Sequence, residues 1–466
     1  MKRKLTALLL TAVLALTFTA CQNAAATEPE APAEIFTNLT GSVTFNFGIS
    51  DDHSMTNPAV VKVTPHHISS DDARTVANAL LGNAEFEEWQ FDPQLSKSDI
   101  QERLELWKQY NSIDAVQSVY GSDTDSETAW DIANVINRFI TNYTKKLETA
   151  PDSVPSIPCD FTFHPASYYW ALAASGEKEN LEIQATSEVG GIPYRLSIST
   201  RDEADFKIQN IHVFIDEDAT PNNLHYFIYL REACGTGIPG SQQILDVKEK
   251  AEQMLNSMNM GQWDVDSCYA EPVFGEADNV YRIHVYAVPV LNGKSAIRQE
   301  QISNLKSDHP NASNYYLTDA ELTFAPNGTL LSADILSPID VLGTEASENL
   351  LSMAELNEIA KTEFAKKGWQ TYAHNTAWEA TGKTYTCEVN VTGAEYGLTR
   401  IKGENDSTYY YVPAVTYLGS YQAYESVSGE LEFDSAEWWN EPSRTLLVLN
   451  AADGSVITAS NPLPGE

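Results

Sequence analysis

Phe324-Ala-Pro-Asn-Gly-Thr-Leu-Leu331 and Asn450-Ala-Ala-Asp-Gly-Ser-Val-Ile457 decide how this chain is read. In each, an Asn-Gly or Asp-Gly pair separates two apolar runs, and such pairs supply the positive φ angles of a type I′ hairpin turn. An amphipathic helix precedes each hairpin. Ser241 to Met258 places Ile244, Val247, Ala251, Met254, Leu255 and Met258 on one face. Ser352 to Lys367 opens with the capping box Ser352-x-x-Glu355, closes at Gly368, and turns Leu356, Ile359, Ala360 and Phe364 inward. Between helix and hairpin run alternating segments, Val280–Leu291 in the first unit and Tyr385–Val391 with Tyr409–Leu418 in the second. The chain therefore repeats a helix-then-hairpin unit. The expected class is α+β, with antiparallel sheets each packed by amphipathic helices. An N-terminal mixed domain (35–235) precedes two such units (236–343 and 344–466).

The N-terminal domain reads as strands over 41–48 and 60–64, then three helices. Ser69-Ser-Asp-Asp72 caps the first, and Ala73, Val76, Ala77 and Leu80 form its stripe, with Gly82 as the stop. Ser96–Tyr110 buries Ile100, Leu104 and Trp107; Glu127–Leu147 keeps Ala129, Ile132, Ile136, Phe139, Ile140, Tyr143 and Leu147 in register. Strands are expected at 159–163, 180–186, 193–200, 208–215 and 224–231.

The first residues give an address. Met1-Lys-Arg-Lys4 is a basic n-region, Leu5–Thr19 is an uncharged apolar run, and Ala20 precedes Cys21. This reads as a signal peptide (1–20), too short for a comfortable bilayer span. The small residue before cysteine resembles a bacterial lipobox. That resemblance implies a diacylglycerol on Cys21 and an anchor at the extracytoplasmic face of the cell membrane. Residues 21–34 are small, acidic and proline-bearing, and should form a disordered tether.

The charge excludes one class of partner. The chain has 29 Lys and Arg against 65 Asp and Glu, a net charge of −36. Nucleic acid requires a basic face, and an anionic membrane surface would repel this one, so the lipid alone must do the anchoring. Beyond Cys21 there are four cysteines, Cys159, Cys234, Cys268 and Cys387, without a C-x-x-C. An exported location permits disulfides, and four cysteines leave three complete pairings open.

Helix, antiparallel strands and a terminal Asn/Asp-Gly-Ser/Thr-Val/Leu hairpin are similar to PepSY-type domains. The lipobox, Pro65-His-His-Ile-Ser-Ser-Asp-Asp-Ala73, Gly191-Ile-Pro-Tyr194 and Gly237-Ile-Pro239 resemble an uncharacterised lipoprotein family of Firmicutes. The resemblance implies inhibitory or binding modules, not enzymes.

Motifs with chemistry are sparse. Gly235-Thr-Gly237-Ile-Pro-Gly240 fits G-x-G-x-x-G after an expected strand, but Pro239 stiffens the loop, and a glycine turn with a Ser241 cap is the better account. Ser303-Asn-Leu-Lys306 fits S-x-x-K in a polar connection without a following Lys-Thr-Gly. His66-His67 with Asp71-Asp72 carries metal-ligand chemistry, although adjacent side chains diverge on a strand. Asp123-x-Asp125-x-Glu127 and Asp216-x-Asp218-x-Thr220-x-Asn222 resemble calcium loops but lack the glycine and glutamate of an EF-hand. The expectation is no cofactor, with calcium left possible. The candidate binding surface is aromatic: Tyr409, Tyr411, Tyr417, Tyr421 and Tyr424 with Trp438 and Trp439, although interior packing accounts for most of them.

Together these readings give a lipid-anchored extracytoplasmic binding or regulatory module that engages an envelope protein or peptide. The alternatives are a sugar- or peptide-binding lipoprotein for import or adhesion, and a hydrolase with a dispersed carboxylate pair.

Overall fold

The computed structural model describes residues 34–38, 41–45, 58–90, 93–121, 124–165, 181–203, 206–216, 223–273, 279–298, 318–347, 349–364, 385–402, 408–435 and 444–459. The signal peptide, Cys21, the tether up to residue 33, Ser303–Lys306, Asp123, 217–222, Trp438 and Trp439 lie outside them, while Glu34, the last tether residue, begins β1.

The fold is α+β. The chain starts with β1 (Glu34–Asn38), β2 (Gly41–Phe45) and β3 (Ala59–Pro65), then α1 (Ser70–Leu81) and the short β4 (Glu87–Glu88). Three helices follow: α2 (Lys97–Gln109), α3 (Ile113–Tyr120) and α4 (Ser126–Leu147). After β5 (His164–Pro165) come β6 (Leu181–Val189), β7 (Ile192–Glu203), β8 (Phe206–Ile215) and α5 (Leu224–Cys234). The first repeat is α6 (Ser241–Ser257), β9 (Gln262–Pro272), β10 (Tyr281–Leu291), β11 (Lys294–Ser295), β12 (Asp319–Phe324) and β13 (Leu330–Leu336). β14 (Ile339–Ala346) links it to the second: α7 (Met353–Phe364), β15 (Tyr385–Lys402), β16 (Tyr409–Glu425), β17 (Leu431–Asp434), β18 (Arg444–Asn450) and β19 (Val456–Ala459).

Both repeats have one topology. In the first, β9 pairs β10, β10 pairs β12, and β12 pairs β13; in the second, β15 pairs β16, β16 pairs β18, and β18 pairs β19, all antiparallel. A short extra strand, β11 or β17, falls between the second and third long strands of each. In both, the hairpin glycine lies against the unit's helix. Gly328 O accepts from Lys250 Nζ at 2.7 Å, and a Cβ on Gly454 would fall 2.3 Å from Ile359 Cδ1. The turns are not type I′, because only the glycines have positive φ (Gly328 83°, Gly454 72°). Gly328 N–H donates to Ala325 O at 2.8 Å, and Gly454 N–H reaches back four residues to Asn450 O at 2.8 Å. Each loop is longer than two residues, and one left-handed glycine with a bulge closes it.

Residues 35–235 contribute strands to both sheets. β4–β8 extend the first repeat to ten strands, joined where β8 pairs β13. β1–β3 extend the second to nine, with β14 beyond β3. The largest core lies between the ten-stranded sheet and helices α1 and α6, and includes Val76, Leu80, Leu196, Ile211, Val247, Leu255, Val285, Leu322 and Ile335. Capping fixes where α1 begins: Ser69 Oγ accepts from Asp72 N–H, and Asp72 returns the bond to Ser69 N–H at 2.8 Å. A second core under α7 holds Leu356, Ala360, Phe364, Val415, Tyr417 and Leu447. A third belongs to the α2–α4 bundle around Trp107 and Ile136.

Residues 224–231 form a helix instead of the expected strand. The stretch is rich in aromatic and branched residues, so local preference points to a strand. Position in the fold decides otherwise. Leu224 and Ile228, one turn apart, enter the bundle core, while Leu230 and Cys234, also one turn apart, enter the sheet core. Such a segment must bury two sides, which a helix wedged between cores does. The strand expected over 159–163 does not form; the two-residue β5 begins just after it, at His164. The helix α3, with Val116 and Val119 buried, was not expected from the sequence.

Candidate functional site

Alternate residues of the ten-stranded sheet face the helices, so the residues between them face the other way. On that outer face, register aligns Gln184, Ser197, His212, Asp334, Glu321, Tyr286 and Ser267 in a single row across seven neighbouring strands. The next row reads Thr186, Arg195, Phe214, Ser332, Thr323, His284 and Tyr269. A solvated antiparallel face is ordinary; this density of paired titratable and aromatic groups on one is not.

Glu321 and Asp334 are direct cross-strand partners. Like charges so placed repel, and each carboxylate is met from its far side by a histidine. His212 Nδ1 pairs with Asp334 Oδ1, and His284 Nδ1 lies 3.2 Å from Glu321 Oε1. Tyr286 donates its hydroxyl to Glu321 at 3.1 Å. His284 Nε2 meets Glu271 Oε1 at 2.8 Å, and Arg282 Nε donates to the same oxygen at 2.8 Å. Aromatic planes line both ends. Arg298 stacks on Tyr286 at 3.5 Å and Arg195 on Trp89 at 3.4 Å, while Tyr269 stacks on His284 at 5.7 Å.

This network shifts its own acidities. The His284 hydrogen bond is the main cause holding the Glu271 carboxyl down at about 2, against burial and with help from Arg282. Burial works against a charged His284, but its bonds to Glu271 and Glu321 prevail and raise it above its ordinary value. The two shifts act in opposite pH ranges. The lowered Glu271 stabilises the fold above its ordinary value of 4.5 and loses that contribution as pH falls towards 2. The raised His284 contributes fully below 6.5 and loses its contribution as pH rises through its folded value. Wild type should therefore exceed His284→Gln in thermal midpoint most between pH 4.5 and 6.5, with the gap closing on either side. Melting curves of both proteins from about pH 3 to about pH 9 check this. A gap that is independent of pH would remove the charged network from the account.

The exposed edges of the row remain open to a ligand. The Glu321 and Asp334 side chains are 41% and 50% exposed, so each can accept further hydrogen bonds. The cavity lined by Arg298, Asp319, Arg400 and Tyr411 has a volume of about 10 Å³, the space of one water. Burial there pushes the Asp319 carboxyl up to about 6, with Arg298 opposing. The arrangement thus suits a ligand laid across strands on a surface.

Comparisons with protein-family models, curated proteins and solved structures find no match.

The residues singled out in the sequence fall elsewhere. Tyr409, Tyr411, Tyr417 and Tyr421 are 1%, 3%, 0% and 5% exposed, which corrects their reading as a binding surface. Their even spacing does put them on one strand face, but that face is the interior: Tyr409 and Tyr411 pack against Val288 and Leu291 of the other sheet, and Tyr417 bonds Asn357 of α7 at 2.9 Å. Tyr424 alone reaches partly into solvent, where it donates to Gln422 at 2.8 Å. Gly235 caps α5 and Gly240 caps α6, so the glycine motif lies between two helices, without the strand a dinucleotide site requires, and Ser241 is the first helical residue. Asp125 caps α4 through Glu127 and Thr128 N–H, both at 2.9 Å. His66 pairs with Asp340 at 2.8 Å and lies 3.8 Å from Asp72, while His67 is exposed. Among the described residues no group of three His, Cys, Asp or Glu side chains is arranged to hold a metal. Cys159 and Cys234 are free thiols, and burial raises Cys234 to about 12.

Sequence reading missed the outer-face row. Alternation within 208–215 marks His212 as outward, but it cannot say that Asp334 lies beside it. Only register across distant strands does that.

Proposed function

We propose that this protein is a lipid-anchored, extracytoplasmic binding module of the bacterial envelope, and that it holds a protein or peptide against the outer face of its ten-stranded sheet. The observation that carries the reading is the row from Gln184 to Ser267, with its half-exposed Glu321 and Asp334. Carboxylates held in place by histidines and flanked by aromatic rings present fixed acceptors and stacking surfaces, the elements of a specific polar contact. The two helix-plus-meander units support grouping both with PepSY-type binding modules, by analogy of topology alone. A saccharide ligand, serving import or adhesion, is the second reading, favoured by Tyr269 and Tyr286 beside the carboxylates.

The address has its own test. Cys21→Ser should move the protein from the membrane pellet to the soluble fraction of fractionated cells, without altering its thermal midpoint. A variant that stays in the pellet would overturn the lipid anchor and leave the binding face untouched.

A further inference from the structure

The outermost strand on the β3 side of the nine-stranded sheet is held by one ladder only. β14 pairs antiparallel with β3 from Ile339↔Pro65 to Ala346↔Ala59, and among the described residues no strand occupies its other edge. Ile339 is buried, but every residue from Asp340 to Ala346 is exposed, so neither face of the strand is packed. The register shifts by one residue between Val341 and Gly343. At that point Val341 and Leu342, 53% and 55% exposed, place two consecutive apolar side chains in water. Edge strands are usually guarded by charged side chains, lysine above all, by proline, by a bulge or by cover from another element. β14 has neither lysine nor proline, and its charges, Asp340 and Glu345, are both negative.

The charge chooses the occupant. A second copy would bring another strand of the same sign on a chain of net charge −36, and association would work against that repulsion. At the start of β14, Asp340 and Asp72 flank His66, which concentrates acidic groups there. A strand with basic side chains alternating with apolar ones complements both features. We propose that β14 accepts an extended basic segment of a partner protein by β-augmentation. Its free backbone edge supplies the ladder, Val341 and Leu342 meet the apolar side chains, and Asp340 and Glu345 meet the basic ones. This surface is separate from the outer face of the ten-stranded sheet and stands without it.

The test uses the full chain in detergent and a fluorescent ten-residue peptide of alternating lysine and valine, with a glutamate–valine peptide as control. Anisotropy should show saturable binding of the lysine peptide alone. Hydrogen exchange should show new protection at amides within 339–346. The double variant Val341→Lys/Leu342→Lys changes only exposed side chains and should keep its circular dichroism, yet lose about tenfold in affinity or more. Glu102→Gln, an exposed change on α2, should bind as wild type does. Unsaturable binding, protection outside β14, or equal affinity of the folded double variant would overturn the proposal.

Discussion

Gly419→Val should destabilise the protein by about 3 kcal/mol, one of the two largest effects expected of any single substitution in this chain. Gly419 does not have a left-handed backbone, so conformational freedom is not the reason. Proximity is. A Cβ there would lie 2.0 Å from the carbonyl oxygen of Asn390 and 2.9 Å from Leu446 Cδ1. Gly419 pairs with Val391 on one side and Arg444 on the other, and both ladders shift register beside it, at Val391/Gly393 and Tyr417/Leu418. Two bulges therefore press neighbouring strands onto one residue of β16. The obstructing atom on the β15 side is backbone and cannot rotate away. Gly343→Val provides the control, since a Cβ at Gly343 meets nothing within 4 Å. It should stay within ~0.5 kcal/mol of wild type. Urea unfolding of both variants checks the pair, and equal midpoints would contradict the packing described for β16.

Trp107→Ala should cost about 4 kcal/mol and act first on the α2–α4 bundle. The indole is fully buried, with Tyr143 edge-on at 4.8 Å and Phe139 edge-on at 5.7 Å. His225 of α5 stacks on it at 6.4 Å, so the residue ties the bundle to the helix that enters the sheet core. Burial, with Arg103 adding to it, lowers His225 to about 4, which leaves the ring neutral against the indole. Trp107 Nε1 has no hydrogen-bond partner among the described residues, so its N–H contributes nothing that phenylalanine would lose. Trp107→Phe should therefore recover more than half of the loss. The expected signature is an early loss of helical ellipticity that precedes sheet unfolding. A single transition with an unchanged midpoint would show that the bundle contributes little.

The fold was legible where one element's own pattern decides it. Ser69 and Ser96 each sit three residues before an aspartate and ahead of an apolar stripe; the cap at Ser69 forms as read, and Ser96 makes the same capping box. The two hairpins led to two repeats because each glycine is required by its turn, and Gly454 also by Ile359 of the helix beside it. Legibility failed where two elements compete for a residue. Leu224–Arg231 has the composition of a strand, but its two burial faces are set by cores formed from residues far away in sequence. The tyrosines failed in a related way. Spacing by two puts Tyr409 and Tyr411 on one face without saying which face, and the strand that covers it, β10, is remote in sequence. For the same reason the candidate site was invisible. Glu271, His284, Glu321, Asp334 and His212 come from five strands, and nothing near any one of them in sequence announces the others.

The claim that most needs a direct answer is that the outer face of the ten-stranded sheet is where this protein holds its partner. Crosslinking in intact cells, followed by mass spectrometry, should compare wild type with Glu321→Gln/Asp334→Asn. These replacements keep the shape of half-exposed side chains and remove their charge. The account predicts a specific crosslinked protein or peptide, with links mapping beside the row from Gln184 to Ser267, and its loss in the equally folded variant. Undiminished capture by that variant, or links that map only to the opposite helical face, would contradict it.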